Sequence, residues 1–297
     1  MGRIFTWSEV ANRQVPTPEN FESAIDHLYA WGRSRIDEGT IKGIVHYGSS
    51  AGTRNVRSDI DIVLNIAEEK MQNSIKHVNE LEQSLGIHNL RLDVVYWPHD
   101  RGVVIHPSVL ERGMVQQRSR NILLGEDPFS EEGTSTAIDQ HQYRSEIGAF
   151  VAQRVAYAIK RVPGQSERTR LNILEGLLES VPKLSRMVRI ADQSAFGAGE
   201  SENVRSLHER LPASLLPASE GLIDLDSRYS LLLNQALDGQ VSQDEYAAFL
   251  TNAEAQGRQA SVVLFGGISK QENFDVVLDT SRATPEGGAG LFPIERR

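Results

Sequence analysis

Ser58-Asp59-Ile60-Asp61-Ile62-Val63-Leu64 reads as a β-strand with Asp59 and Asp61 on one side and Ile60, Ile62 and Leu64 on the other, because successive side chains of a strand point to opposite faces. One face is suited to a core, and the other carries two carboxylates two residues apart. Ahead of it, Ile41-Lys42-Gly43-Ile44-Val45-His46-Tyr47 is an apolar stretch that runs directly into Gly48-Ser49-Ser50, a second strand ending in a tight turn. Glu38-Gly39-Thr40 breaks the segment before that. Further upstream, Thr17-Pro18 supplies an N-cap and a first-turn proline for a helix over about 18–36, with Phe21, Ile25 and Leu28 along one face. Residues 1–16 show no periodicity.

Downstream, an amphipathic pattern over about 68–85 predicts a helix, and Leu90 to Trp97 predicts a third strand. In that strand Leu92, Val94 and Tyr96 share one face and Asp93 lies on the opposite one. Ser108 to Arg120 has room for another helix, and Ile122-Leu123-Leu124-Gly125 is the last apolar segment before a linker at Glu126 to Thr136. Beyond the linker the pattern turns helical. Ile147, Val151, Val155 and Ile159 repeat every fourth residue, and Leu171, Leu174, Leu178 and Val181 follow a similar spacing after a turn at Pro163-Gly164-Gln165-Ser166. Pro182 ends or kinks the second of these helices, a third is expected over about 183–192, and Phe196 to Glu202 reads as a loop. Ser242 with Glu245 makes a capping box for a helix over about 243–256. Ser261 to Phe265 fits either strand or helix. The expected fold class is α+β: a domain over 17–126 with a small mixed sheet flanked by helices, an all-helical domain over 137–270, and a flexible tail over 271–297.

The bulk composition narrows the functional classes. The chain has 297 residues, of which 39% are hydrophobic and 24% charged, a balance that supports two folded domains rather than disorder. With no cysteine, a disulfide framework, a thiol nucleophile and Cys-ligated zinc are all excluded. No apolar run approaches the ~18 residues of a membrane span, and the first residues lack the apolar core of a secretory signal. A cytoplasmic protein without a membrane partner is expected. The net charge of −9 disfavours broad adhesion to nucleic acid, which stays open but not favoured. A small-molecule or protein partner suits that charge better, and an oligomer is compatible with it.

Asp59 and Asp61, joined by Asp93 if their strands pair, are oxygen donors of the kind that hold Mg²⁺, a hard cation bound by a few carboxylates and substrate phosphates. A pair of such ions serves in-line displacement at phosphorus. Gly48 and Ser49, at a strand end, can offer backbone N–H groups and a hydroxyl to phosphate oxygens. Tyr47-Gly48-Ser49, then Ser58-Asp59-Ile60-Asp61-Ile62-Val63-Leu64, then Asp93, together resemble the DNA polymerase β-type nucleotidyltransferase superfamily, with the small bacterial members and the aminoglycoside adenylyltransferases nearest in layout. The resemblance covers roughly residues 20–125. It implies that Gly48 and Ser49 bind a triphosphate, that Asp59 and Asp61 hold two Mg²⁺ ions, and that Asp93 is a further metal ligand or activates the attacking hydroxyl. The loop between Gly48 and Ser58 is slightly shorter than is usual there, which leaves open which of Thr53, Arg54 and Arg57 touches nucleotide; Arg57 is the one carried forward as a nucleotide-binding residue.

The function this implies is Mg²⁺-dependent transfer of a nucleoside monophosphate, AMP foremost, from ATP or another nucleoside triphosphate to a hydroxyl of a small molecule. Two alternatives stay open: a protein- or tRNA-modifying nucleotidyltransferase of toxin–antitoxin type, and a non-catalytic nucleotide-sensing module. Other charged groups have plainer readings. His46 fits a satisfied strand histidine. Glu175 and Glu179, one helical turn apart, read as a solvated face rather than a general base. Lys183, Arg186 and Arg189 read as a surface stripe balancing nearby glutamates.

Overall fold

Thr17 and Asn20 cap the first long helix reciprocally, with Asn20 N–H donating to Thr17 Oγ1 at 3.3 Å and Thr17 N–H to Asn20 Oδ1 at 2.8 Å. At the other end Gly39, at φ 65°, lets Gly39 N–H reach the Ile36 carbonyl at 2.9 Å and Thr40 N–H reach that of Arg35 at 2.8 Å. Paired bonds of this kind close a helix around a left-handed glycine. The computed structural model describes residues 2–47, 56–66, 70–86, 90–97, 122–126, 140–160, 164–191 and 200–279. Among these the elements run α1 (Trp7–Ala11), α2 (Pro18–Asp37), β1 (Ile41–Tyr47), β2 (Ile60–Ile66), α3 (Met71–Gly86), β3 (Leu92–Trp97) and β4 (Ile122–Gly125). They continue as α4 (Gln140–Ile159), α5 (Glu167–Leu178), α6 (Ser180–Ala191), α7 (Glu200–His208), α8 (Leu216–Leu237), α9 (Gln243–Ile268) and α10 (Gln271–Val277). The mixed α+β class is as expected. Among the described residues no helix is long and apolar enough to cross a membrane.

The strands form one mixed sheet in the order β3-β2-β1-β4, with β1 antiparallel to β2 and β4 and with β2 parallel to β3. Ile60, Ile62, Leu64 and Ile66 of β2 are fully buried and pack with Phe21, Ala24, Ile25 and Leu28 of α2 and Val78 and Leu81 of α3. α2 lies close to β1 because Gly32 has no side chain: a Cβ there would fall 2.5 Å from Ile44 Cδ1. On the opposite face Val45, Tyr47, Val63 and Val95 form a second buried cluster.

The chain divides into two compact units, one comprising Met1–Thr136, Gln165–Glu175 and Ser230–Leu250, the other Ala137–Gly164, Gly176–Tyr229 and Thr251–Arg297. The sheet unit therefore takes in more than the 17–126 read from the sequence. Residues before Pro18 belong to it: Ile4, Phe5, Val10 and Val15 are buried, and Thr6 and Glu9 form a capping box for α1. A five-residue helix is too short to show periodicity, although the T-x-x-E signal was there to be read. In this arm Tyr246 Oη donates to the Phe5 carbonyl at 3.0 Å and Arg168 Nη1 to that of Ile4 at 2.8 Å.

In the helical unit, Tyr143, Ile147 and Val151 of α4 and Val181, Leu184, Met187 and Val188 of α6 are buried, and Tyr143 Oη donates to the Met187 carbonyl. Arg258 closes the C-terminus of α4, its Nη1 donating to the carbonyls of Tyr157 at 2.8 Å, Ala158 at 3.2 Å and Lys160 at 2.9 Å.

Several expectations for the C-terminal half change. Pro182 sits in the first turn of α6, where its missing N–H is unneeded, and the break falls at Glu179 because the proline ring would meet the carbonyl four residues back. α7 begins at Glu200, inside the stretch read as a loop. α8 was not foreseen, and α9 runs on through Ser261 to Phe265. The tail expected from 271 starts with α10 instead, whose Val277 is fully buried, with Leu278 beyond it 4% exposed. The helix expected at 108–120, the linker beyond Glu126 and the last residues from 280 lie outside the described residues.

Two outcomes test this packing. A Cβ on Gly43 would lie 2.2 Å from the Glu126 carbonyl oxygen and 2.7 Å from that of Leu124, so Gly43→Ala is expected to destabilise the chain by about 1–3 kcal/mol in urea unfolding. An unchanged midpoint would show that β4 does not pack as described. Burial raises the affinity of Glu9 for a proton, but bonds from Thr6 and the charges of Arg3 and Arg168 outweigh it and hold the carboxyl below its ordinary range. A lowered folded-state pKa gives stability that is present above the ordinary carboxylate value and lost as pH falls through the lowered one. Glu9→Gln should therefore lose on the order of 1 kcal/mol at pH 7 and converge with the parent in acid; a constant gap across that range would refute the linkage.

Candidate active site

β2 positions the acidic groups because both of its edges are paired. Asp61 faces Tyr47 across the antiparallel ladder to β1 and Asp93 across the parallel ladder to β3. Residues in register on neighbouring strands share a face, and the strands lie about 4.8 Å apart, so Asp61 and Asp93 stand side by side on the face of Val45, Tyr47, Val63 and Val95. Asp59 immediately precedes β2. Asp59 and Asp61 are half-buried, and Asp93 is exposed. The ladder begins with Ile60 N–H donating to the Arg91 carbonyl at 2.9 Å, which sets the start of β2 against the start of β3. Both carboxylate-bearing segments thus enter the sheet at one end, beside Tyr47, the last described residue before Gly48.

The structure brings Asp61 and Asp93 together, and Asp59 lies two residues ahead of Asp61 in the chain. Among the described residues no three His, Asp or Glu side chains converge as a ready-made metal cage. Gly48 and Ser49 lie outside the described residues, as do Thr53 and Arg54. Arg57 is described, and its placement differs from the nucleotide contact expected of it. It is 3% exposed, with Nη2 donating to the Gly2 carbonyl at 2.9 Å, Nε to that of Arg3 at 3.2 Å, and Nη1 to Ser230 Oγ at 2.7 Å. Arg3 N–H returns a bond to the Arg57 carbonyl at 2.9 Å. The guanidinium anchors the N-terminal arm, and Gly2 is the residue that permits the approach: a Cβ there would overlap the Arg57 carbonyl at 1.5 Å.

Glu175 and Glu179 have separate surroundings. Glu175 pairs with Arg91 at 2.8 Å and Arg168 at 3.6 Å and accepts from Ile4 N–H at 3.3 Å, so it is bound into the support of the arm. Arg91 also donates to Asn172 at 3.4 Å. Glu179 is buried at 8% exposure and paired with Lys183 at 2.6 Å, not the solvated group read from the sequence. Burial raises its pKa, but nearby positive charge, that of Lys183 foremost, more than compensates and leaves the carboxyl below the ordinary range. Arg189 meets Glu202 at 3.6 Å, as expected of a charge-balancing stripe. The arginines that flank the aspartates, Arg57 and Arg91, were missed as supports. Their only sequence signal is position, each two residues ahead of an aspartate.

Like charges in register on adjacent strands repel, typically by a few tenths to 1 kcal/mol. Asp93→Asn should therefore raise the thermal midpoint in metal-free buffer by about 1–3 °C. An unchanged or lower midpoint would show that the two carboxylates do not sense each other.

Comparison of the chain with protein-family models, with curated proteins and with solved structures finds no match in any of the three.

Proposed function

We propose that the chain is a Mg²⁺-dependent nucleotidyltransferase that moves a nucleoside monophosphate, AMP foremost, from a nucleoside triphosphate to a hydroxyl of a small molecule. The observation that supports this most is the register that puts Asp61 beside Asp93, with Asp59 two residues upstream. A set of carboxylate oxygens suits Mg²⁺, which takes oxygen ligands and fills its other positions with water and phosphate. Asp59, Asp61 and Asp93 would hold it, and when bound it would offset the negative charge of the triphosphate and of the displacement at phosphorus. Gly48 and Ser49, following β1, are the proposed triphosphate contacts on the strength of the sequence. Arg57 is left out, because its guanidinium donates to the N-terminal arm and to Ser230.

In the proposed reaction the acceptor oxygen bonds to the α-phosphorus and the bond from that atom to the β-phosphate bridging oxygen breaks. The electron pair leaves with pyrophosphate, and Asp93, as a further metal ligand or as the group that takes the hydroxyl proton, would assist the attack. A rigid sheet with both edges of β2 paired is a suitable base for carboxylates that must hold a fixed spacing.

Purified chain, Mg²⁺, each α-labelled nucleoside triphosphate and a cell extract as acceptor pool provide the test. Label is expected in the small-molecule fraction, with Asp61→Asn lowering the rate on the order of 10²-fold or more while its far-UV spectrum and midpoint stay those of a folded protein. Equal labelling by Asp61→Asn would sink the assignment. Label in protein or RNA would keep the chemistry and change the acceptor, and triphosphate binding without transfer would mark a sensing module.

A further inference from the structure

Glu175 of α5 joins the supports of the two aspartate-bearing segments. On one side Arg57 takes up the arm: its Nε donates to the Arg3 carbonyl at 3.2 Å and its Nη2 to that of Gly2 at 2.9 Å, while Arg3 N–H returns a bond to the Arg57 carbonyl at 2.9 Å. Glu175 takes up the next group along, its Oε2 accepting from Ile4 N–H at 3.3 Å. The Arg3 carbonyl and the Ile4 N–H belong to one peptide, which is planar and close to rigid. A single peptide plane therefore stands between the guanidinium of Arg57 and the carboxylate of Glu175. The other oxygen, Oε1, accepts from Arg91 Nη1 at 2.8 Å, so the contacts run unbroken from the residue two before Asp59 to the residue two before Asp93. Arg168, two turns ahead of Glu175 on the same helix, holds the Ile4 carbonyl at 2.8 Å, and Ile4 is fully buried. All of these residues belong to the sheet unit.

The entries of β2 and β3 are where a tie has most effect. Asp59 precedes the first bond of their ladder, from Ile60 N–H to the Arg91 carbonyl, and the ends of a sheet open at lower cost than its middle. Carboxylates on two strands keep a fixed spacing only while both strand ends stay closed together. Hydrogen bonds in a chain polarise one another, and an arm released from Glu175 would leave the N–H of a fully buried residue without its acceptor. Opening one entry is thereby made costly for the other.

We propose that the Arg3–Ile4 peptide, held between Arg57 and Glu175, couples the entries of β2 and β3, and that Glu175 is a positioning residue for Asp59, Asp61 and Asp93. The positioning role rests on the nucleotidyl-transfer reading. The coupling does not, since it concerns only how two strand ends are held.

Amide hydrogen exchange of the full chain in EDTA, read on peptides covering 56–64, 90–97, α2 and α6, tests the coupling without metal or nucleotide. Glu175→Gln keeps the shape of the side chain but offers one acceptor oxygen to two donors. It is expected to speed exchange at least about tenfold in both 56–64 and 90–97, with α2 and α6 at parent rates. A response confined to 90–97 would make Glu175 a local support of β3 and overturn the coupling, as would parent rates in both segments or faster exchange in all four. Gly2→Ala acts from the opposite end, since its Cβ would overlap the Arg57 carbonyl at 1.5 Å. Faster exchange in 90–97, at the far end of the contacts, supports the coupling, and a parent rate there overturns it even where Glu175→Gln fails to fold. Turnover with the acceptor that takes label then tests the positioning role: Glu175→Gln should lower kcat at least about tenfold with the triphosphate KM within about threefold of the parent. Arg91→Lys, which keeps a cation for Glu175, should retain more of kcat than Glu175→Gln. An unchanged kcat in Glu175→Gln overturns the role. Absence of transfer in the parent removes the reaction and the role with it, and the exchange result still decides the coupling.

Discussion

β2 is hydrogen-bonded along both edges and buried along one whole face, and the placement of every other feature of the sheet unit follows from that. Ile60, Ile62, Leu64 and Ile66 all turn toward α2 and α3, and burial of each such side chain contributes about 1.5–3 kcal/mol. Slipping the strand by one residue would turn all four outward and bring Asp61 into the apolar layer. The register is thereby locked by hydrophobic burial on the helix side. The same lock holds Asp61 against Asp93 on the other side, so a carboxylate pair that contributes nothing to the core is positioned by residues that have no polar chemistry of their own.

Charge then secures what burial positions. Arg57 stands two residues before Asp59 and Arg91 two residues before Asp93, and each is tied to parts of the chain far away in sequence: Arg57 to Gly2, Arg3 and Ser230, and Arg91 to Asn172 and Glu175. The Arg91 carbonyl also receives the first bond of the β2–β3 ladder. A buried guanidinium with three acceptors resists displacement more than a surface pair does, because losing one acceptor leaves a charge out of water. The segments that carry the aspartates are therefore held on the residues that precede them.

The parts of this fold that the sequence revealed are those governed by short-range rules. Thr17-Pro18 and Gly39 mark the ends of α2, the alternation in β2 separates its faces, and Ser242 with Glu245 marks the start of α9. Asp61 beside Asp93 could be stated only on condition that β2 and β3 pair, since register is a property of two strands together. The role of Arg57 was illegible because its partners lie 54, 55 and 173 residues away, and an arginine in a polar loop gives no local sign of burial. α8 is a different case: Leu222, Leu225, Tyr229, Leu233 and Ala236 are buried at helical spacing, but Pro212 and Pro217 ahead of them resemble the punctuation of a loop.

The N-terminal arm also orders events during synthesis. The bond from Tyr246 to the Phe5 carbonyl spans 241 residues, and at about 5–20 residues per second the first partner waits on the order of tens of seconds for the second. Ile4 and Phe5, fully buried in the finished unit, must stay out of competing contacts throughout that interval. Closure of such distant pairs is entropically late, so the sheet unit cannot be completed from its own strands alone as they leave the ribosome. The chain is committed to finishing this unit only after the helical segments that interrupt it have been made.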